Sequence, residues 1–141
     1  MTVSVIPKFA FIAVIAAVAA WLPVAISFAF DGPVLGAKFY LALLLPALIG
    51  SFGIGLPVAL VTFHLSWRHL VYEPSTLIII ATLAGVMMML TSFVLLGDEG
   101  LLALGLPSFV ASATFAILGW FWILRPLRNS LNNPPQEKDI A

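Results

Sequence analysis

Few side chains in this sequence could do chemistry, and their spacing serves it poorly. Asp98 and Glu99 stand side by side in "GDEG" (97–100). Paired carboxylates can divide the work of general acid and general base. Neighbours in a tight turn point apart, however, and no partner base accompanies them, so a solvated turn is the expectation. His64 and His69 are the two histidines. Five positions apart on a helix, they point about 140° away from each other. A helical metal pair stands at i and i+4, and no third histidine exists to complete a haem or metal site from another helix. Without a cysteine, thiolate nucleophiles, thiolate metal sites and disulfides are excluded. The acids and the histidines also fall at opposite ends of the expected helices, so no Ser-His-Asp set can form from them. No enzyme activity, cofactor or metal is expected.

The glycine run "IGSFGIGLP" (49–57) invites comparison with a phosphate loop. Such a loop follows a strand and ends in Lys-Ser/Thr. Here "LPVALV" follows instead, and a soluble nucleotide site is ruled out.

Composition says what must hold these residues. Of 141 residues, 62% are hydrophobic and 9% charged, against about 25% charged in a soluble domain. A domain this small has too little interior to hide so much apolar surface. The expected solvent is lipid. Four apolar runs lack any charge: 9–30, 39–63, 75–96 and 101–124. Each has the roughly 20 residues that cross about 30 Å of hydrocarbon as a helix. The connections "DGPVLGAK" (31–38), "HLSWRHLVYEP" (64–74) and "GDEG" are short, which forces antiparallel neighbours. The expectation is an all-α integral membrane bundle, up-down-up-down, over 1–124. A polar tail, 125–141, is expected to lose order beyond its first turn. The first run exceeds the 7–15 residues of a signal core and is read as a retained helix.

Lys8, Arg68, Arg125, Arg128 and Lys138 fall at one end and Lys38 at the other. Lysine and arginine mark the cytoplasmic side, so both termini and the 64–74 connection are expected in the cytoplasm of a bacterial inner membrane. Trp67, Tyr72 and "WFW" (120–122) fit an aromatic belt beside snorkelling arginines. At this end His64, Arg68, His69, Arg125 and Arg128 could meet and hold anionic lipid headgroups or a cytoplasmic partner. The plainer expectation is that these charges simply keep the loops inside. Zero formal net charge gives no basic field for nucleic acid.

All four runs carry small residues at helical spacing, Ala13, Ala17 and Ala20 on the first and Ala81 and Gly85 on the third, and the other two carry longer stripes. On the second run Pro46, Gly50, Gly53, Pro57, Val61 and His64 share one stripe at 100° per residue, with Gly55 on the opposite face. On the fourth, Gly105, Ser108, Ser112, Ala116 and Gly119 form another. Small residues let helices approach where lipid supplies no hydrophobic drive between them. The stripes are therefore expected to be the bundle seam, with a substrate path as the alternative. Met87, Met88 and Met89 are adaptable filler. Pro57 lacks an N–H and its ring crowds the Gly53 carbonyl, which predicts a bend near 53–57. The freed carbonyl needs a donor, for which Thr91, Ser92, Ser108 and Ser112 are the candidates. Finally, "ALLLPALIGS" (42–51) and "ALGLPSFVAS" (103–112) are alike. A duplicated helical hairpin would make them so, as would chance in so biased a composition.

Residues 53–124 resemble small four-span bacterial inner-membrane proteins of unknown function. The resemblance lies in "GIGLPVALV", the small-residue third run and "GWFWILRP". It implies a fold and no activity or site. The early membrane glutamate of small multidrug-resistance proteins is lacking, as are the Arg/Asn/Glu-rich helices of membrane glutathione-transferase-like families. No run carries the ionisable residue that proton-coupled transport uses. The expected function is association, as an accessory subunit, an immunity-type protein or an oligomer. Its partners would be lipid and another membrane chain or itself. A small oligomeric transporter or lipid-handling protein is the alternative.

Overall fold

The computed structural model describes residues 5–31 and 36–133. These are all-helical, with no strand among the described residues. Three helical stretches make the fold: α1 (Val5–Asp31), α2 (Ala37–Tyr72) and α3 (Pro74–Asn132). Each is long and apolar enough to cross a membrane, by length and composition.

The four separate helices that the sequence pattern suggests become three stretches because "GDEG" is not a loop. Gly97 alone leaves helical geometry, at φ 70° and ψ −153°. A side chain would be strained there, and glycine is not. Helical structure resumes at once, and α3 folds back into a first leg (74–96) and a return leg (98–132). The two legs lie antiparallel. A Cβ on Gly85 would stand 3.3 Å from the Phe109 Cα, and one on Gly105 would stand 3.1 Å from the Met89 Cα. Both pairs are equidistant along the chain from Gly97.

The second connection is also shorter than its composition implies. "HLSWRHLVY" continues α2, and Glu73 alone breaks it, at φ −124° and ψ 80°. The cause is Pro74, which bars its predecessor from the α region and then opens α3 from its first position. The tail, expected to lose order after one turn, stays helical through Asn132; residues 134–141, including Lys138, lie outside the described residues. So do 32–35 of the first connection.

Where a bend is expected near Pro57, the structure has a turn of π-helix, Ser51–Gly55, closed by the Leu56 N–H donating to the Ser51 carbonyl. Two more follow the same rule. Leu101–Gly105 precedes Pro107, and Trp120–Leu124 precedes Pro126. A proline ring collides with the carbonyl four residues back. Widening one turn to i→i+5 hydrogen bonds moves that carbonyl aside without ending the helix. Pro23 and Pro46 sit in their helices with no such turn.

α1 and the return leg form the centre, α2 flanks α1, and the first leg of α3 flanks the return leg. Phe9, Ile12 and Ile123 form one buried cluster, covered by Leu60, Phe63, Phe115 and Leu118. Leu70, Val71 and Leu124 form a second, covered by Leu77, Ile80, Trp120 and Leu127. Ile12, Ala13, Ala16 and Ala17 are fully buried. Outside this narrow core the molecule is apolar on its surface. Val94 is 78% exposed and Leu65 75%.

Candidate association surface

Among the described residues, two polar side chains are buried, Ser51 and Ser92. Ser51 Oγ donates to the Ala13 carbonyl at 2.6 Å, bridging α2 and α1. Ser92 Oγ turns back to the Met88 carbonyl of its own helix. A hydroxyl in an apolar interior must find an acceptor, and a backbone carbonyl has a second lone pair to offer. The half-buried Ser112 repeats the Ser51 arrangement on the other side of the molecule. Its Oγ donates to the Ala81 carbonyl at 2.7 Å, bridging the two legs of α3.

This fixes which face of α2 points inward. Ser51 is on it, and so is Gly55, where a Cβ would come within 2.9 Å of the Phe115 ring. The stripe of Pro46, Gly50, Gly53 and Pro57 therefore turns outward. Pro46, Gly53 and Pro57 are exposed, Gly50 is half-buried, and a Cβ on either glycine would meet nothing within 4 Å. The bundle seam expected of this stripe is formed by the opposite face. The reason is a competition within one glycine-rich turn: Ser51 has a hydrogen bond to satisfy and Gly55 admits an aromatic ring, and together they claim the interior.

The stripe on the return leg divides differently. Gly105, Ala116 and Gly119 are buried and Ser112 is bonded across the legs. Ser108, half-buried, bonds the Leu104 carbonyl of its own turn. Three of the five residues of this stripe, Gly105, Ala116 and Gly119, thus lie in the interior. None of the four hydroxyls proposed to serve the Gly53 carbonyl does so. Thr91 donates to Met87, Ser92 to Met88, Ser108 to Leu104 and Ser112 to Ala81.

The expected kind of rescue occurs at another proline. Pro126 has no N–H for the carbonyl four residues back, that of Trp122. Lys8 Nζ from α1 donates to that oxygen at 3.5 Å. Lys8 thus belongs to the basic end of the molecule. Arg68 lies 5.5 Å from the Trp67 ring centroid, and Arg125 5.8 Å from that of Phe121, close enough for cation–π attraction. His64, Arg68, His69 and Arg125 are exposed and Arg128 is half-buried. The buried Leu70–Val71–Leu124 cluster ties 64–72 to 125–128 at one end of the bundle, so these residues share an end without packing into a pocket. Among the described residues, no group of three His, Asp or Glu side chains is placed to hold a metal.

Sequence reasoning passed over Ser51 and Gly55 as packing residues. The available signal was a hydroxyl inside a charge-free run, which must bond across to a neighbour or back to its own helix. No family model matches the chain, and neither any curated protein nor any solved structure matches it.

Proposed function

We propose that the chain is a small multi-pass membrane protein that acts by association with another membrane chain. In this reading the polypeptide crosses four times, through α1, α2 and the two legs of α3, with both termini cytoplasmic. The observation that carries the reading is Gly53. It is a glycine in the middle of a long helix, it weakens that helix by about 1 kcal/mol relative to alanine, and a Cβ there would meet nothing. With Gly50 and Pro57 it presents a shallow, backbone-lined strip on the outer surface. Within lipid such a strip gives a partner helix close approach and dispersion contact.

The apolar exterior supports the membrane placement. The grouping of Lys8, Arg68, Arg125 and Arg128 at one end supports the orientation. There Lys8, Arg68 and Arg125, steadied by the Trp122 carbonyl, Trp67 and Phe121, would meet anionic headgroups together with Arg128.

The test is native purification in lipid nanodiscs, with mass spectrometry of everything retained, applied to wild type and Gly53→Leu. The variant is expected to keep its fold and helical content and to lose the retained chain. A wild type that carries only lipid would overturn the reading, as would a Gly53→Leu variant that keeps its partner.

A further inference from the structure

The two antiparallel pairs, α1 with α2 and the first leg of α3 with the return leg, are fastened by the same device. Ser51 bonds the Ala13 carbonyl, and Ser112 bonds the Ala81 carbonyl. The serines end the matching segments "ALLLPALIGS" (42–51) and "ALGLPSFVAS" (103–112). The accepting alanines lie in a second matching pair, "IAVIAAV" (12–18) and "IATLAGV" (80–86). Aligning one serine with the other therefore aligns both helices of each pair at once. Gly55 against Phe115 shows the two second helices side by side at nearly this offset. These matches support reading the molecule as a helical hairpin present twice.

The hairpins join through one kind of contact: the first helix of one against the second helix of the other. α1 packs on the return leg, with Phe11 stacked on Trp122 at 5.6 Å between centroids. The corresponding contact in the other direction would set the first leg of α3 against α2. The residues matching Phe11 and Trp122 are Ile79 and Val61. Within the chain these two helices pack chiefly near their shared Glu73 junction, where Leu70 and Val71 meet Leu77 and Ile80. Above it Ile79 is 63% exposed and Val61 57%. Val61 belongs to the outward stripe of Gly53 and Pro57.

We infer that the occupant of this half-used surface is a second copy of the chain. The α2 stripe of one copy packs on the first leg of α3 of the next, reproducing between copies the contact that α1 makes with the return leg inside each. Such a contact joins unlike surfaces, and repeated about an axis along the membrane normal it builds a ring of hairpins where the rotation between copies closes. The inference rests on the association reading above and adds the identity of the partner and the residues that meet.

The absence of native cysteine makes the test clean. Val61→Cys and Ile79→Cys, on copies with different affinity tags, are co-expressed and treated in membranes with a short bismaleimide. Both positions are exposed, so neither substitution disturbs the core. The expected product has twice the chain mass and carries both tags. It is absent when either variant is expressed alone, and wild type in nanodiscs shows a mass of two or more chains. Coupling between two Val61→Cys copies would mean like-with-like pairing and overturn this inference while leaving the association reading intact. So would a different chain retained in place of a second copy. A single-chain mass with lipid alone would overturn both.

Discussion

At the scale of single residues, hydroxyls and glycines set how the helices pack. Ser51 and Ser112 each fasten one pair of helices through a carbonyl already used by its own helix. Interhelical bonds of this kind contribute about 0.6 kcal/mol in a membrane and at most about 1.7. Ser51→Ala and Ser112→Ala should each lower stability by that amount, read from denaturant-driven unfolding in mixed micelles. The double variant should show the sum, because the two bonds share no partner. Glycine positions divide just as clearly. A Cβ at Gly85 would come within 2.5 Å of the Phe109 ring and 3.3 Å of its Cα, so Gly85→Ala forces the legs of α3 apart and should cost about 1–3 kcal/mol. Gly53→Ala meets open space and should be neutral or stabilising by up to about 1 kcal/mol. Equal losses at the two positions in the same assay would contradict the inward and outward assignment of these faces.

Among the elements, the three π-turns are the structural cost of keeping prolines inside long helices. A π-turn holds one residue more than the α-turn it replaces, which shifts the face of everything after it. Removing Ile54 from the Ser51–Gly55 turn, together with Pro57→Ala to remove the ring that the turn accommodates, should therefore let an α-turn form and leave Leu70 and Val71 pointing inward. Removing Val61 from regular α-helix should rotate the remainder by about 100° and pull both residues out of their cluster. Loss of such buried side chains costs about 2–4 kcal/mol each. Thermal unfolding of the two deletion variants should separate them clearly, with the Val61 deletion the less stable. The helices were legible in sequence because charge-free runs of this length have one stable use. Their ends were less so: "HLSWRHLVY" and "RPLRNSLN" read as polar connections, yet nothing in either stops a helix until Glu73–Pro74 or Asn133. The inward faces were harder still. When every side of a helix is apolar, periodicity no longer marks the core, because lipid and protein interior are alike to a leucine. Size and hydrogen bonding decide instead. That is how Ser51 and Gly55 took the interior and the more regular stripe of Gly50, Gly53 and Pro57 was left outside.

For the whole molecule, the proposed orientation makes a simple statement about the C-terminus. A reporter fused after Asn133 should be active only if that end is cytoplasmic. Replacing Arg125 and Arg128 together with glutamine should raise the fraction of reversed chains, since orientation follows lysine and arginine near the helix ends. A periplasmic fusion in the unaltered chain would contradict the topology. One further consequence follows from Gly97. Because the backbone reverses within a single residue, the two legs of α3 have no loop through which to enter a bilayer one after the other. Asp98 and Glu99 sit at the tip, and carrying an acid such as Asp through the hydrocarbon centre costs about 2.5–3.5 kcal/mol. Only the apolar legs on either side can offset that, and only if they go in together. Biosynthesis would then treat 74–132 as a single insertion event, and a ribosome stalled after the first leg would hold a segment still waiting for its other half.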